Sequence, residues 1–480
     1  MPRALAVLLL LCACQPSGGG YDVLELGALP EAPDTPPAWA AEAVWTQLTL
    51  VPDTLTSPTS VEPSAPPDST SAPDPAPDST ALRLPDAPDE ATEADTTDVP
   101  GTSDEPGPPS PLQRALDDLD RVAGFGVTAL AVLPSMAEPV HIDPALGPDP
   151  EGDREMIALE DPDDPATWST TAADGLFLDL IEHAHERGLR VALGASLGRL
   201  SEESGRSAGD MSAGTSRALA AAIRWLDPDG DGDPAEGVDG FIVEGGEAPP
   251  PFWGDLRRLT KAVHPEAILV GLSGEPLEAG LDVALDARPL ATLAEMLGPS
   301  PSALSPMAAA RTLADHYASV PADRLPAQLS VPPGSSPLPD LASGSSRLGR
   351  SLGDARADEL LLLLQATLPG APLVDTGRDA IEAGRPGPSL SLRRDHPDLW
   401  ARGTLTWEPS ASVLRFTRRA GDAAAVVVVN VADVPQQAVL PAGRTEVALA
   451  VGPRPIGDGR RHLLAPRSGA VFLVDSGRSL

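Results

Sequence analysis

Two hydrophobic rhythms divide this chain. Between residue 111 and about residue 400, apolar residues alternate between a helical spacing and uninterrupted runs; beyond it they come in short blocks separated by turns. In LQRALDDLDRVAGFG, Leu112, Leu116, Leu119 and Val122 share one helical face, and Gly124 and Gly126 close the helix. VTALAVLP follows as a buried strand. The pairing recurs: LFLDLIEHAHERG with LRVALGAS, SRALAAAIRWL with VDGFIVE, FWGDLRRLTKAVHP with AILVGLS, MAAARTLADHYASV with the weaker LPAQLSV, and ADELLLLLQATLPG with APLVDT. Strands that are apolar throughout predict a parallel sheet buried on both faces, and so many units in one run predict closure into a barrel. AVWTQLTL, at 43–50, is a further short strand. From about residue 403 the blocks TLTWEPS, SVLRFTR, AAAVVVVNVA, QQAVLP, EVALAVG, RHLLAP and AVFLVD predict an antiparallel β-sandwich domain over 403–480. Residues 51–110 are rich in Pro, Ser, Thr, Asp and Glu and nearly free of large apolar side chains, so their composition predicts disorder.

Charge excludes one class of partner. The 480 residues hold 70 acidic and 34 basic side chains, a formal charge of -36, which repels phosphate backbones and anionic lipid surfaces and so excludes nucleic acid. Lys261 is the only lysine. Aromatic residues are 3% of the chain, few for a protein that would stack rings on sugars. The start, MPRALAVLLLLCAC, has one cation and an apolar run too short to span a bilayer, as in a signal peptide over 1–14. Leu11-Cys12-Ala13-Cys14 is similar to a bacterial lipobox, which implies acylation of Cys14 and membrane attachment through lipid; Gln15 favours the outer membrane. No cysteine follows Cys14, so the exported body has no disulfide. Residues 15–41 read as a tether.

The order of elements is joined by particular stretches: Asp118-Leu119-Asp120 through Leu133-Pro134, AHERGLRVAL, WLDPDGDGDPAEGVDGF, TLPGAPLVDTG, and LSLRRDHPDLWARG with VVVVNVAD. Together they carry a resemblance to glycoside hydrolase family 13, the α-amylase family. It implies an α/β fold: a (β/α)8 TIM barrel over 42–402, a C-terminal antiparallel β domain, and a long disordered acidic Pro-rich insert at 51–110 in the loop after the first strand. Loop closure grows costly only slowly with length, so a barrel tolerates such an insert.

The resemblance also implies a chemistry: retaining cleavage of α-glucosidic bonds by a carboxylate nucleophile and a carboxylic acid about 5 Å away. Position by position, the residues depart from it. On strand three the family's Asp, Asn and His fall on Gly194, Gly198 and Arg199. On strand four its Arg falls on Ile242, and its nucleophilic Asp on Glu244, one methylene longer. On strand five its general acid falls on Leu272, with Glu275 three residues on. On strand seven, Leu329 through Gly334 holds no His or Asp, and Asp340 is the nearest carboxylate. The expectation is a degenerate, inactive member that binds an α-glucan, another carbohydrate or a partner protein at the cell surface. Two alternatives stand: an active retaining glycosidase using Glu244 with Glu275 or Glu247, its mouth lined by Trp168 or Trp253, and a structural lipoprotein without ligand.

Asp227, Asp229, Asp231 and Asp233 resemble the start of a calcium loop, though Val238 stands where a twelfth-position Glu would complete it; a solvated acidic turn is the other reading. No cofactor is required. His183 and His185 are two apart on a helix, so their rings diverge and cannot share one ion. Asp161 to Asp164 reads as a solvated acidic loop, with a second calcium contact as the other reading. Ser273, Ser335 and Ser336 have no recognisable His partner. The oligomeric state is not legible.

Overall fold

The computed structural model describes residues 31–33, 35–50, 111–134, 172–195, 211–228, 232–243, 250–271, 281–298, 303–321, 324–325, 328–331, 352, 354–374, 387–408, 410–441 and 443–475. Eight strands close into a parallel barrel in chain order: β1 Trp45–Leu50, β2 Ala129–Pro134, β3 Arg190–Ala195, β4 Gly240–Val243, β5 Ile268–Gly271, β6 Val283–Asp286, β7 Gln328–Ser330 and β8 Ala371–Val374. β1 pairs with both β2 and β8, which makes the closure. The helices are α1 Ala38–Glu42, α2 Pro111–Gly124, α3 Ala172–Glu186, α4 Met211–Leu226, α5 Pro250–Val263, α6 Arg288–Leu297, α7 Pro306–Ser319, α8 Ala355–Thr367 and α9 Gly387–Asp395. The stretch 51–110 therefore joins β1 to α2, as the barrel reading requires; the disorder expected of it, like the acylation expected at Cys14, falls on residues outside the described ones.

Within the barrel run, β6 and α6 escape the sequence reading, as do α1, whose residues 38–41 fall in the stretch read as a tether, α9, and the short strand Ile456–Asp458 of the C-terminal domain. β6 is only VALD, flanked by Asp282 and closed by Asp286, and one residue, Ala287, separates it from α6. A four-residue strand bracketed by carboxylates shows no hydrophobic run long enough to read.

The strands alternate as a barrel must. Trp45, Ala129, Ala131, Ala192, Ile242, Ile268, Val270, Val283, Leu285, Leu329, Val331, Ala371 and Leu373 fill the interior, while Val191, Leu193, Phe241, Val243 and Leu269 meet the helices outside. α1 closes the N-terminal end: Ala40 and Ala43 join the interior cluster, and Trp39 stacks 5.8 Å from Trp45 and donates its indole N–H to Glu266 O.

A polar residue precedes each of β2, β4 and β6 and accepts an N–H from the neighbouring odd-numbered strand side. Thr128 Oγ1 accepts from Val44, Asp239 Oδ2 from Val191 and Asp282 Oδ2 from Leu269. These bonds satisfy backbone donors at the barrel's N-terminal rim, where an orphan would be costly.

The C-terminal domain contains a five-stranded antiparallel sheet, β13-β16-β11-β10-β9, and a three-stranded sheet, β12-β15-β14. The strands are β9 Thr404–Trp407, β10 Leu414–Ala420, β11 Ala423–Asn430, β12 Gln436–Val439, β13 Arg444–Val451, β14 Ile456–Asp458, β15 Arg461–Leu464 and β16 Ser468–Asp475. One face of the larger sheet, through Phe416, Val427 and Val429, packs on α6, α7 and α8 of the barrel; the other, through Val426, Val428 and Phe472, packs on Ala438 and Leu464 of the smaller sheet. Burial on both sides explains why β11 reads as an unbroken valine run. Two buried arginines fasten the junction through carbonyls. Arg393 donates to Ala366 O, Leu368 O, Gly370 O and Ala41 O, and Arg418 to Leu399 O and Trp400 O. Burial holds their pKa values down, to about 9 and about 10.

Candidate functional site

In a barrel of this kind the side chains available for chemistry stand at the C-terminal ends of the strands. There the described inward positions of β3 to β6 carry no polar side chain. Gly194 of β3 pairs in register with Ile242 of β4, Ile242 with Val270 of β5, and Val270 with Val283 of β6. Ile242 is buried in the interior cluster at 4% exposure. The two positions where the resemblance asks for an aspartate and an arginine thus hold a bare backbone and an aliphatic side chain, side by side. On β7, Val331 faces inward; Ser330 is buried on the helix side, where Gln365 Nε2 donates to its carbonyl. Trp253 is buried against Phe252 in the helix layer and so is not a free surface for a sugar. Glu244, Glu247, Glu275, Leu272, Gly198, Arg199, Asp340 and Trp168 lie outside the described residues.

The buried carboxylates of the described residues are Asp227, Asp239, Asp282 and Asp286. Asp239 and Asp282 sit at the opposite, N-terminal rim. Asp286 ends β6 but turns to the helices: Oδ1 accepts from Arg288 N and Nε at 3.1 Å, and Oδ2 lies 2.8 Å from His316 Nε2 on α7. Burial works against its ionisation, but His316 and Arg288 outweigh that and lower its pKa. Asp227 Oδ2 accepts from Gly232 N, and Asp233 caps the short 3-10 turn Pro234–Glu236 through Ala235 N. Among the described residues no group of acids, histidines or cysteines could hold a metal. Asp229 and Asp231, needed for the calcium loop, lie outside them.

The sequence GVDGF has a structural explanation. A Cβ on Gly237 would stand 2.2 Å from Leu226 O, and one on Gly240, whose φ is +153°, would stand 2.2 Å from Ile268 O. Between them Asp239, 1% exposed, collects His185 Nε2 at 2.8 Å, Arg190 Nη1 at 2.6 Å and Val191 N at 2.8 Å, with His264 Nε2 at 3.7 Å. Asp282 does likewise before β6, holding Arg257 at 2.9 Å and the buried Lys261 at 3.3 Å. Burial lowers the pKa of Lys261. The expected divergence of the histidines is seen: His183 approaches exposed Glu186, whereas His185 turns inward to Asp239. What the sequence reading missed is that His185 is half of a buried latch. The available signal was an aspartate set between apolar residues immediately before a strand, in VDG and again in LDV.

His185 Nδ1 lies 2.8 Å from Ala235 O and Nε2 faces Asp239. Both neighbours are acceptors, so both ring nitrogens carry protons and the imidazolium is the fitting form. Burial opposes it, but the Asp239 carboxylate outweighs burial and raises the pKa, while the same contact holds Asp239 well below the usual carboxylate range. The signs follow by linkage. The raised histidine contributes stability fully below its unfolded pKa of about 6.5 and loses it as pH rises through the folded value. The lowered aspartate contributes above its unfolded pKa of about 3.9 and loses it as pH falls through the folded value. Urea midpoints are expected to be highest between these limits and to fall on the alkaline side. His185→Gln should lower the midpoint in the acidic window and flatten the alkaline decline. An alkaline slope equal in both proteins would assign it elsewhere.

No family model matches the chain, and no curated protein matches it in sequence. Solved structures do match. A debranching enzyme from Nostoc punctiforme, soaked with acarbose, is 16% identical with a TM-score of 0.56, covering 91% of this chain and 99% of that one. A cyclic α-maltosyl-(1→6)-maltose hydrolase from Arthrobacter globiformis is 17% identical with a TM-score of 0.54, over 92% and 100% of the two chains. An Anoxybacillus α-amylase is 14% identical with a TM-score of 0.54, over 77% and 91%. At such identities the likeness is one of fold: the chain has the barrel and C-terminal β domain of α-amylase-family enzymes.

Proposed function

We propose that this chain is a degenerate member of glycoside hydrolase family 13, exported, lipid-anchored through Cys14 in the cell envelope, and without hydrolytic activity. Its role on this reading is to bind a carbohydrate, an α-glucan first among candidates, or a partner protein. The observation that carries the loss of activity is the pair Gly194 and Ile242. A retaining mechanism needs a carboxylate held ionised beside a protonated acid, and a neighbouring guanidinium is what lowers the nucleophile's pKa. An aliphatic side chain buried in the barrel core supplies no such field. Catalytic groups act as a unit, so Glu244 without that arginine and without the strand-three aspartate retains little of the rate. The ligand and the substrate of those neighbours, acarbose and a cyclic maltosyl-maltose, support an α-glucan as the carbohydrate to try first.

The purified protein is expected to release no nitrophenol from a nitrophenyl α-glucoside and no reducing ends from soluble starch, with Glu244→Gln indistinguishable from wild type. Turnover that vanishes in Glu244→Gln would overturn the proposal. A glycan array then separates sugar binding from protein binding.

A further inference from the structure

The large hydrophobic side chains that stand exposed among the described residues are four, and all belong to the three-stranded sheet or the turn leading into it. Ile456 is 76% exposed, Val434 56%, Leu463 46% and Val439 44%. Register joins three of them. Ile456 lies beside Leu463, which lies beside Gln437; in the next row Asp458 lies beside Arg461, which lies beside Val439. The alternate residues Ala438 and Leu464 are buried against the larger sheet, so these rows form the outer face. An exposed apolar surface of this kind marks an interaction site.

Charge says what covers it. The chain as a whole carries -36, yet residues 403–480 hold nine arginines against six carboxylates, a local charge of +3. Arg461 lies on the patch, and Arg454 and Arg460 are exposed at its rim, their guanidinium groups tied to Val447 O and Leu440 O. Asp458 is the one carboxylate on the face. Fields are screened beyond about 8 Å at physiological ionic strength, so an approaching surface meets these arginines and not the distant acidic barrel. The face carries no aromatic ring for a sugar to stack on. A second copy in a two-fold contact would set this arginine-rich face against itself. An apolar centre with a cationic rim matches the interfacial region of an anionic bilayer.

We propose that this face docks on an anionic phospholipid surface, with Ile456, Leu463 and Val439 entering the headgroup region and Arg454, Arg460 and Arg461 facing lipid phosphates. The proposal does not depend on the reading of the barrel or on acylation of Cys14.

The test uses the full chain with Cys12 and Cys14 changed to Ser and an environment-sensitive fluorophore on Ile456→Cys. A control carries the fluorophore on Asp422→Cys in the β10–β11 turn. With vesicles of equal parts phosphatidylglycerol and phosphatidylcholine, the probe at 456 should shift to the blue and be quenched by brominated acyl chains, and the control should not respond. Partitioning should weaken about tenfold in the triple variant Arg454→Glu, Arg460→Glu, Arg461→Glu, and equally in about 1 M salt. The proposal fails if the probe is silent, if pure phosphatidylcholine serves as well, or if the control responds alike. It fails too if the shift grows with protein concentration without lipid, which would assign the face to a second copy. It also fails if the probe is already shifted without lipid and deletion of 51–110 reverses it, which would assign the face to that acidic segment.

Discussion

Gly240→Ala is expected to unfold the barrel under conditions where the parent is fully folded. The residue opens β4 with φ at +153°, a backbone conformation L side chains rarely adopt, and its added Cβ would sit 2.2 Å from Ile268 O and 2.8 Å from Ile268 N. Those atoms belong to the paired strand β5, so neither can move without opening the barrel. Strain and overlap together are expected to remove about 4 kcal/mol or more, a large part of the 5–15 kcal/mol typical of a folded domain. Gly254→Ala is the control. Gly254 lies within α5 with nothing within 4 Å of its added Cβ, so alanine there should stabilise by up to about 1 kcal/mol. Urea unfolding followed by circular dichroism measures both. A Gly240→Ala protein with parental stability would mean that this stretch of backbone is not as described.

Asp239→Ala should be nearly as damaging for a different reason. The carboxylate is the common partner of His185, Arg190 and the Val191 N–H, with His264 beside it. Its removal leaves a buried amide unpaired and the half-buried imidazolium without its counter-charge, at a cost of about 3–5 kcal/mol. Asp239→Asn keeps an acceptor for Val191 and should cost less. In both variants the NMR titration of His185 should drop from its raised pKa toward or below the ordinary value. If His185 titrates as in the parent, its charge is not held by Asp239.

These two residues bear on what the resemblance means. WLDPDGDGDPAEGVDGF is the segment on which the resemblance to the enzyme family rests most closely, and it would be natural to attach that likeness to catalysis. In the folded chain it does other work. Gly237 lets the chain cross Leu226 O, Asp233 caps a turn, Asp239 ties β3 to β4, and Gly240 permits close pairing with β5. Those demands come from the barrel and persist whether or not sugar is cleaved. The positions that the resemblance would make catalytic, Ile242 and Glu244, follow immediately, and there the residue types differ from the family pattern.

The alternation of helical and continuous apolar runs was enough to read seven of the eight strands and six of the seven helices described between them, α6 being the exception, because burial on one stripe or on two faces writes a period into the residues themselves. The same logic gave the β-rich C-terminal domain. It could not give β6, whose four residues are too few to show a period, or the buried pairing of His185 with Asp239, which joins positions 54 residues apart. Nor could it show that Ile242 and Gly194 are neighbours, since register between strands is set by closure of the barrel. The sequence by itself determined the long periodic elements and the residue types that stand at the positions the resemblance makes catalytic, because both are properties of local residue type. Only the tertiary structure decided which of the remaining charged groups face one another and which apolar side chains face nothing, because those depend on contacts between segments far apart along the chain.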